Sequence, residues 1–300
     1  MLRLRVAGKN GDWLGTMLCL SPFFPAALGV PDDHTRTTTE IPMTRALGLL
    51  MLCAATLPAR AGEPVVLFDG KDTARWYTFL RDHGKDKDPN GNFTIRDGIL
   101  RISGQDFGGL LTRDEYANYE VQLEYAWGGK VWPPRLKTAR DSGLLVHCTG
   151  PDGIVSRSWM EGIQCNMLEG ATGDISITGA SPKYRFKAQA EERPAGKKAG
   201  LYWKDGAPAR AIGAGTRLLW FGRDAAWDNV LGFRGKNDVE KGVGEWNTLV
   251  VTMKGDTMTV RLNGTTVSRA TDLEVTRGKL QIQSEGAEIL FRKITLTPLD

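Results

Sequence analysis

Residues 140–175, RDSGLLVHCTGPDGIVSRSWMEGIQCNMLEGATGDI, decide how this chain is read. With a period of two, Ser142, Leu144, Val146 and Cys148 fall on one face of a strand and Asp141, Gly143, Leu145 and His147 on the other. In the next segment Ile163, Cys165 and Met167 alternate with Gln164 and Asn166. After the EGATG turn, Ile175 and Ile177 alternate with Asp174, Ser176 and Thr178. Three successive strands thus have one apolar and one polar face, the pattern of an antiparallel sheet packed on one side. If they pair, Asp141, His147, Gln164, Asn166 and Asp174 share a surface, with Glu169 at a strand end beside Gly170. Carboxylates, amides and a histidine suit proton transfer and hydroxyl recognition better than the Lys, Thr and Glu of an ordinary solvated face.

Outward from this stretch the pattern continues. Val65–Phe68 is a strand; residues 93–95 and 99–102 flank an Asp97-Gly98 hairpin turn; Tyr119, Val121, Leu123 and Tyr125 alternate with charged and amide residues. Residues 248–253, 258–262, 265–268, 280–283 and 289–296 complete the set, with Gly255-Asp256 and Asn263-Gly264 as turns. The expected fold is all-β, an antiparallel two-sheet β-sandwich. Residues 183–242 break this rhythm. Residues 191–200 read as a charged surface loop, and Trp203, Trp220, Phe221, Trp227 and Phe233 as either loop anchors or a platform for sugar rings.

At the amino terminus, Arg45, the apolar run 46–57 and Ala59-Arg60-Ala61 have the three parts of a secretory signal peptide, which predicts cleavage before Gly62. Residues 1–42 precede it without clean periodicity and read as a disordered or mis-assigned leader; 62–300 form one domain. The expected location is periplasmic or secreted, with no membrane anchor, because the apolar run is too short to span a bilayer. Of the chain's four cysteines, Cys148 and Cys165 follow the signal. They face inward, as one disulfide or as two buried thiols. With 39 basic and 35 acidic residues the chain is near neutral, and without a basic run it offers nothing that tracks phosphates, so no nucleic-acid partner is expected. No cofactor is expected either: loop-end carboxylates suit calcium, but no acidic calcium-loop pattern is present. Oligomeric state is not legible.

Several stretches resemble the 3-keto-disaccharide hydrolase family: VLFDGKDTARW (66–76), FTIRDGILRI, GGLLTRDEYANYEVQLEY from Gly108, RDSGLLVH, EGATGDI, GEWNTLVV from Gly244, VRLNG, and GKLQIQSEGAEILFRKITLTPL at the carboxyl end. The resemblance implies a concanavalin A-like jelly roll and an exported carbohydrate-active enzyme. Where the family carries a Glu-x-Gln pair, this chain has Gln164 and Asn166. The implied substrate is a disaccharide or glycoside oxidised at C3. The ketone acidifies the C2 hydrogen, so elimination of the C1 oxygen and hydration can replace direct hydrolysis. That route needs a base, an acid and a group to stabilise the enolate. The residues expected in these roles are Asp141, His147 or Glu169 for catalysis and Arg140 or Arg292 for the enolate. Gln164, Asn166, Gln283 and Glu285 are expected to read hydroxyls, and Asp174 to orient a partner or bind a cation. The alternative is a non-catalytic, lectin-like sandwich that binds an unmodified glycan.

Overall fold

The computed structural model describes residues 62–193, 199–220, 222–224 and 226–300. The expected leader and signal peptide lie outside them, as does Phe221. Among the described residues every regular element is a strand, and no helix is long and apolar enough to cross a membrane.

Two sheets face each other. The first is eight-stranded, in the order β17 (Thr265–Ala270), β16 (Thr257–Leu262), β15 (Asn247–Lys254), β7 (Tyr119–Val131), β19 (Ala287–Pro298), β5 (Ile99–Ile102) and β4 (Phe93–Arg96), with β1 (Val65–Phe68) also paired to β19. The second is eleven-stranded: β13 (Ala209–Ile212), β11 (Phe186–Arg193), β12 (Gly200–Trp203), β14 (Arg217–Leu219), β10 (Ile175–Thr178), β9 (Glu161–Leu168), β8 (Asp141–Thr149), β18 (Lys279–Ser284), β6 (Gly108–Thr112), β2 (Trp76–Leu80) and β3 (Gly84–Lys85). All pairings are antiparallel except β12 with β14. The chain has the two-sheet sandwich that its alternation predicts.

The hairpins close as the sequence requires. Asp97 and Gly98 take φ of 51° and 74°, and Asn263 and Gly264 take 48° and 84°. Both central residues of each turn therefore sit in the left-handed region that matches strand twist. Between the sheets, Val121, Leu123, Tyr125, Leu249, Val251, Ile289 and Phe291 meet Leu144, Val146, Ile163, Cys165, Met167, Leu280 and Ile282 in one continuous core. The middle region read as irregular supplies β11 to β14. These short strands widen the second sheet beyond β10 and raise one wall of the site described below.

One irregularity reverses an expectation. In the β8–β9 ladder, Val146 pairs with Ile163 but Thr149 pairs with Glu161, so His147 and Cys148 together oppose a single partner position. His147 has φ of 51°. This β-bulge re-aims every side chain after Val146. His147 turns into the sandwich, fully buried and edge-on to Tyr119 at 5.7 Å, and Cys148 turns out to pack with Tyr77, Leu111, Leu145 and Met160. Cys165 stays in the main core. The two thiols are free and lie on opposite faces of the sheet.

Candidate active site

The outer face of the second sheet carries a cleft of about 360 Å³. Its floor is read directly from the alternation. Gln164 and Asn166 project from β9, with Ser176 and Thr178 beside them on β10. Asp141 opens β8, and Gln283 and Glu285 stand at the end of the antiparallel β18. Gln164 Nε2 donates to Gln283 Oε1 (2.9 Å) and to Asn166 Oδ1 (3.2 Å), while Thr178 Oγ1 donates to Gln164 Oε1 (2.6 Å). Asn166 Nδ2 donates to Ser176 Oγ at 2.9 Å. These bonds, with one from Asn166 Nδ2 to the Asp174 carbonyl, use both amide protons of Gln164 and of Asn166, fixing them in one orientation, and leave the Gln283 amide protons and the Ser176 hydroxyl proton to a polar ligand.

Two carboxylates meet at one end of that floor. Arg135, from the loop between β7 and β8, places Nη2 2.5 Å from Asp141 Oδ2 and 2.8 Å from Glu285 Oε1. Gly286 makes room for it: at φ 80°, a Cβ there would lie 2.6 Å from Arg135 Cγ. Burial pushes the Asp141 carboxyl well above its ordinary range, and the charge of Glu285 adds to this while Arg135 opposes it. Burial raises Glu285 too, again against Arg135. Two acids around one cation cannot both ionise freely, so their protonation is shared.

The walls come from loops. Trp159 and Val155 border the cleft on one side. Their loop is pinned to the sheet through Tyr77 Oη to Asp152 Oδ1 (2.7 Å), Met160 N to Gln281 Oε1 (2.9 Å) and Trp159 Nε1 to the Gly108 carbonyl (3.2 Å). Opposite them, Gly215, Thr216 and Arg217 form the other wall. Among the described residues no group of three or more His, Cys, Asp or Glu is placed to hold a metal ion.

Of the ten residues singled out in the sequence, five line this cleft: Asp141, Gln164, Asn166, Gln283 and Glu285. The other five do not, each for a definable reason. His147 is turned into the core by the bulge; its Nδ1–H donates to the Val275 carbonyl at 2.8 Å, and Nε2 is buried without a partner among the described residues. Arg140 and Glu169 form a buried ion pair at 2.7 Å, with Arg140 Nε also on the Gly128 carbonyl and Glu169 accepting from Gly232 N. Asp174, fully buried, accepts from Trp220 N (2.7 Å) and Arg223 Nη2 (2.6 Å) and so ties down the segment after β14. Arg292 lies on β19 in the other sheet, 2.5 Å from Glu124 and over the Trp246 ring, so it neutralises Glu124 and not Glu285. The expected aromatic platform is also elsewhere. Trp220 is buried, Trp227 donates to the Glu169 carbonyl, Trp203 lies near Arg269, and the cleft's aromatic ring is that of Trp159.

The fold is a two-sheet β-sandwich of the concanavalin A-like class, with a polar cleft across one outer face. Residues 63–297 match the model of the 3-keto-α-glucoside-1,2-lyase-like domain family, and the chain belongs to that family. It is a carbohydrate-active enzyme by this membership. No curated protein matches the sequence. Similar solved structures include a candidate glycosyl hydrolase of Parabacteroides distasonis (17% identity, 79% of this chain and 94% of that one, TM-score 0.46). A β-glucanase of Bacillus licheniformis (11%, 80% and 99%, 0.41) and the carbohydrate-binding module CBM66 of Bacillus subtilis (11%, 73% and 93%, 0.39) are also similar.

Proposed function

We propose that this protein cleaves 3-keto-glucosides by elimination and hydration, with Glu285 as the base at C2 and Asp141 as the acid on the glycosidic oxygen. The observation that carries this reading is the Arg135 clamp on both carboxylates at the floor of the cleft. Burial raises both carboxyls against the charge of Arg135, so the pair shares a proton between its two acids. One ionised and one protonated carboxyl side by side are what removal of the C2 proton and protonation of the leaving oxygen require. The family description, a 1,2-lyase of 3-keto-α-glucosides, supports the same substrate class.

The clamp also argues against direct hydrolysis of an unoxidised sugar. A double displacement needs two carboxyls about 5 Å apart with the anomeric carbon between them. Here one nitrogen of Arg135 already contacts both acids, at 2.5 Å and 2.8 Å. The alternative of a glycan-binding sandwich accounts for the amide network, but it gives no role to a buried pair of acids at the cleft floor.

The reading includes export. Residues 43–61 serve as a signal peptide and 62–300 as the mature domain, with residues 1–42 upstream of it, and the protein acts in the periplasm or outside the cell. The apolar run 46–57 and a family match that begins at residue 63 support this. Amino-terminal mass spectrometry of protein from its host tests it, and a mature protein retaining residues 1–42 overturns it.

For the reaction, the full-length protein is incubated with 3-keto-trehalose, 3-keto-cellobiose and the parent sugars. Release of a 3-keto-sugar from an oxidised substrate alone is expected, with loss in Asp141→Asn and in Glu285→Gln of about two orders of magnitude or more. Cleavage of the parent sugars, or full rates in both variants, overturns the reading.

A further inference from the structure

Removal of a proton next to a ketone puts negative charge on the ketone oxygen, and neither acid of the cleft can bear it. Arg135 is already committed to both acids. Arg140 and Arg292 lie outside the cleft. One other guanidinium, that of Arg217, lines the cleft.

Arg217 opens β14 and pairs directly with Ser176 on β10, so its side chain rises from the same face as the Ser176 hydroxyl and the amide network. Its side chain is 40% exposed, and no hydrogen bond to it is found among the described residues. Its nearest acid, Asp174 Oδ2, is 3.9 Å away and already accepts from Arg223 Nη2 at 2.6 Å, while Asp174 Oδ1 accepts from Trp220 N. Arg217 therefore adds little to that ion pair. An arginine with no hydrogen bond to its side chain among the described residues, lining a cleft floored by amides and hydroxyls, is suited to receive an oxyanion. Its charge also reaches the carboxyls, lowering both Asp141 and Glu285 against the effect of burial.

We propose that Arg217 is the electrophilic catalytic residue, holding the C3 oxygen of a 3-keto-sugar and carrying the enolate's negative charge during proton removal. The inference rests on the 3-keto-glucoside reading above. In balance, Glu285 takes the C2 proton, the C2–H pair forms C2=C3, and the C3=O pair moves onto O3 beside Arg217. The enolate pair then returns to restore C3=O and form C1=C2, the C1–O bond breaks, and the leaving oxygen takes its proton from Asp141. Water adds at C1 as Glu285 gives its proton back to C2 and Asp141 regains one from the water. The sum is 3-keto-glycoside plus water giving 3-keto-sugar plus alcohol, with no oxidant consumed.

The test separates enolate formation from cleavage. In D₂O, 3-keto-glucose has no leaving group beyond hydroxyl, so deuterium entering at C2, followed by NMR, reports proton removal alone; release of alcohol from a 3-keto-glucoside reports the whole reaction. Arg217→Gln is expected to slow both by about 10²–10³-fold, the usual loss on removing an oxyanion donor. Arg217→Lys should lose less, and methylguanidine should restore part of the exchange in Arg217→Ala. Unchanged exchange with only a raised KM overturns the proposal and leaves Arg217 as a hydroxyl reader. A lowered Tm with activity lost in proportion to folded protein, and no rescue, overturns it in favour of a structural partner for Asp174. If the unaltered protein neither exchanges C2 nor cleaves any 3-keto-glucoside, the reading of the reaction falls and this role falls with it. Exchange and cleavage that survive in Arg217→Gln remove the role of Arg217 alone.

Discussion

Gln164 Nε2 donates to Gln283 Oε1 across 2.9 Å, and the bond passes over a residue with no side chain. A Cβ on Gly143 would lie 2.3 Å from Gln283 Oε1 and 2.6 Å from Gln164 Nε2. The glycine on β8 is therefore what lets β9 and β18 join their amides across the intervening strand. Gly143→Ala is expected to push the two amides apart, cost about 1–3 kcal/mol of stability, and raise KM about tenfold, the equivalent of roughly 1.4 kcal/mol. Thermal melts and initial rates check it, and an unchanged KM would show that the amide pair does not touch substrate.

Removing the cation between Asp141 and Glu285 should move the pH profile in a defined direction. In Arg135→Met both carboxyls lose the charge that opposes burial, so both rise further. Glu285 then ionises only at higher pH, and Asp141 keeps its proton to higher pH. Both limbs of kcat/KM against pH should shift to the alkaline side, with stability at neutral pH reduced by about 3–5 kcal/mol as the buried acids lose their partner. A profile that stays in place would separate the clamp from the chemistry.

The Arg140–Glu169 pair looks catalytic in sequence and is structural in the fold. Glu169→Gln keeps an acceptor for Gly232 N but leaves the Arg140 charge buried without a counterion. The expected outcome is a Tm lowered by roughly 10 °C, with kcat per folded molecule changed by no more than a few fold. A loss of kcat in protein of unaltered stability would return Glu169 to the active site.

The legible part of this molecule is the part governed by a period of two. Alternation in β8 and β9 placed Asp141, Gln164 and Asn166 on one outer face, because a half-buried antiparallel strand has to sort its side chains that way; Gln283 and Glu285 were expected to read hydroxyls without a face being assigned to them. His147 and Cys148 exchanged faces because one extra residue in the β8–β9 ladder shifts everything after it, and no residue type announces such a bulge. Glu169, Arg140 and Asp174 were misplaced for a different reason. A buried ion pair and an active site draw on the same residue types, and only coordinates show that the EGATG turn folds inward. Its inward course is fixed by Glu240, which accepts from Gly170 N, Thr172 Oγ1, Tyr125 Oη and Trp127 Nε1. Arg135, Trp159 and Arg217 were missed because loops and short strands set them in place, where periodicity carries no signal.

The position of His147 has a measurable consequence for stability. Burial pushes the imidazole below its ordinary value of 6.5, with the hydrogen bond to the Val275 carbonyl opposing this weakly. The folded state thus prefers the neutral ring more than the unfolded chain does. As pH falls below about 6.5 the unfolded chain takes up a proton that the folded one refuses, so this contribution to stability is present above that pH and is lost on acidification toward the folded value. The raised carboxyls of Asp141, Asp174, Glu240 and Glu285 act with the opposite sign, so the histidine is isolated by difference. His147→Gln is expected to be less stable than the unaltered protein at pH 7.5, with the gap narrowing from pH 7 to pH 5 in urea titrations; a gap independent of pH would mean that the ring is not held neutral.

Trp159 offers the cleft an aromatic surface but no spare donor. Its Nε1 is held by the Gly108 carbonyl, and its ring sits against Phe107 at 6.2 Å, so its orientation is fixed before any ligand arrives. What remains for a substrate is the ring, the surface on which the C–H side of a pyranose packs. Trp159→Ala removes that surface and is expected to weaken binding by about 1 kcal/mol, roughly fivefold in KM, with kcat nearly unchanged. Trp159→Phe keeps an aromatic ring and loses the bond to Gly108, so it should recover most of the KM while losing stability. If Trp159→Phe binds as weakly as Trp159→Ala, the indole acts by holding the loop in place and not by stacking on sugar.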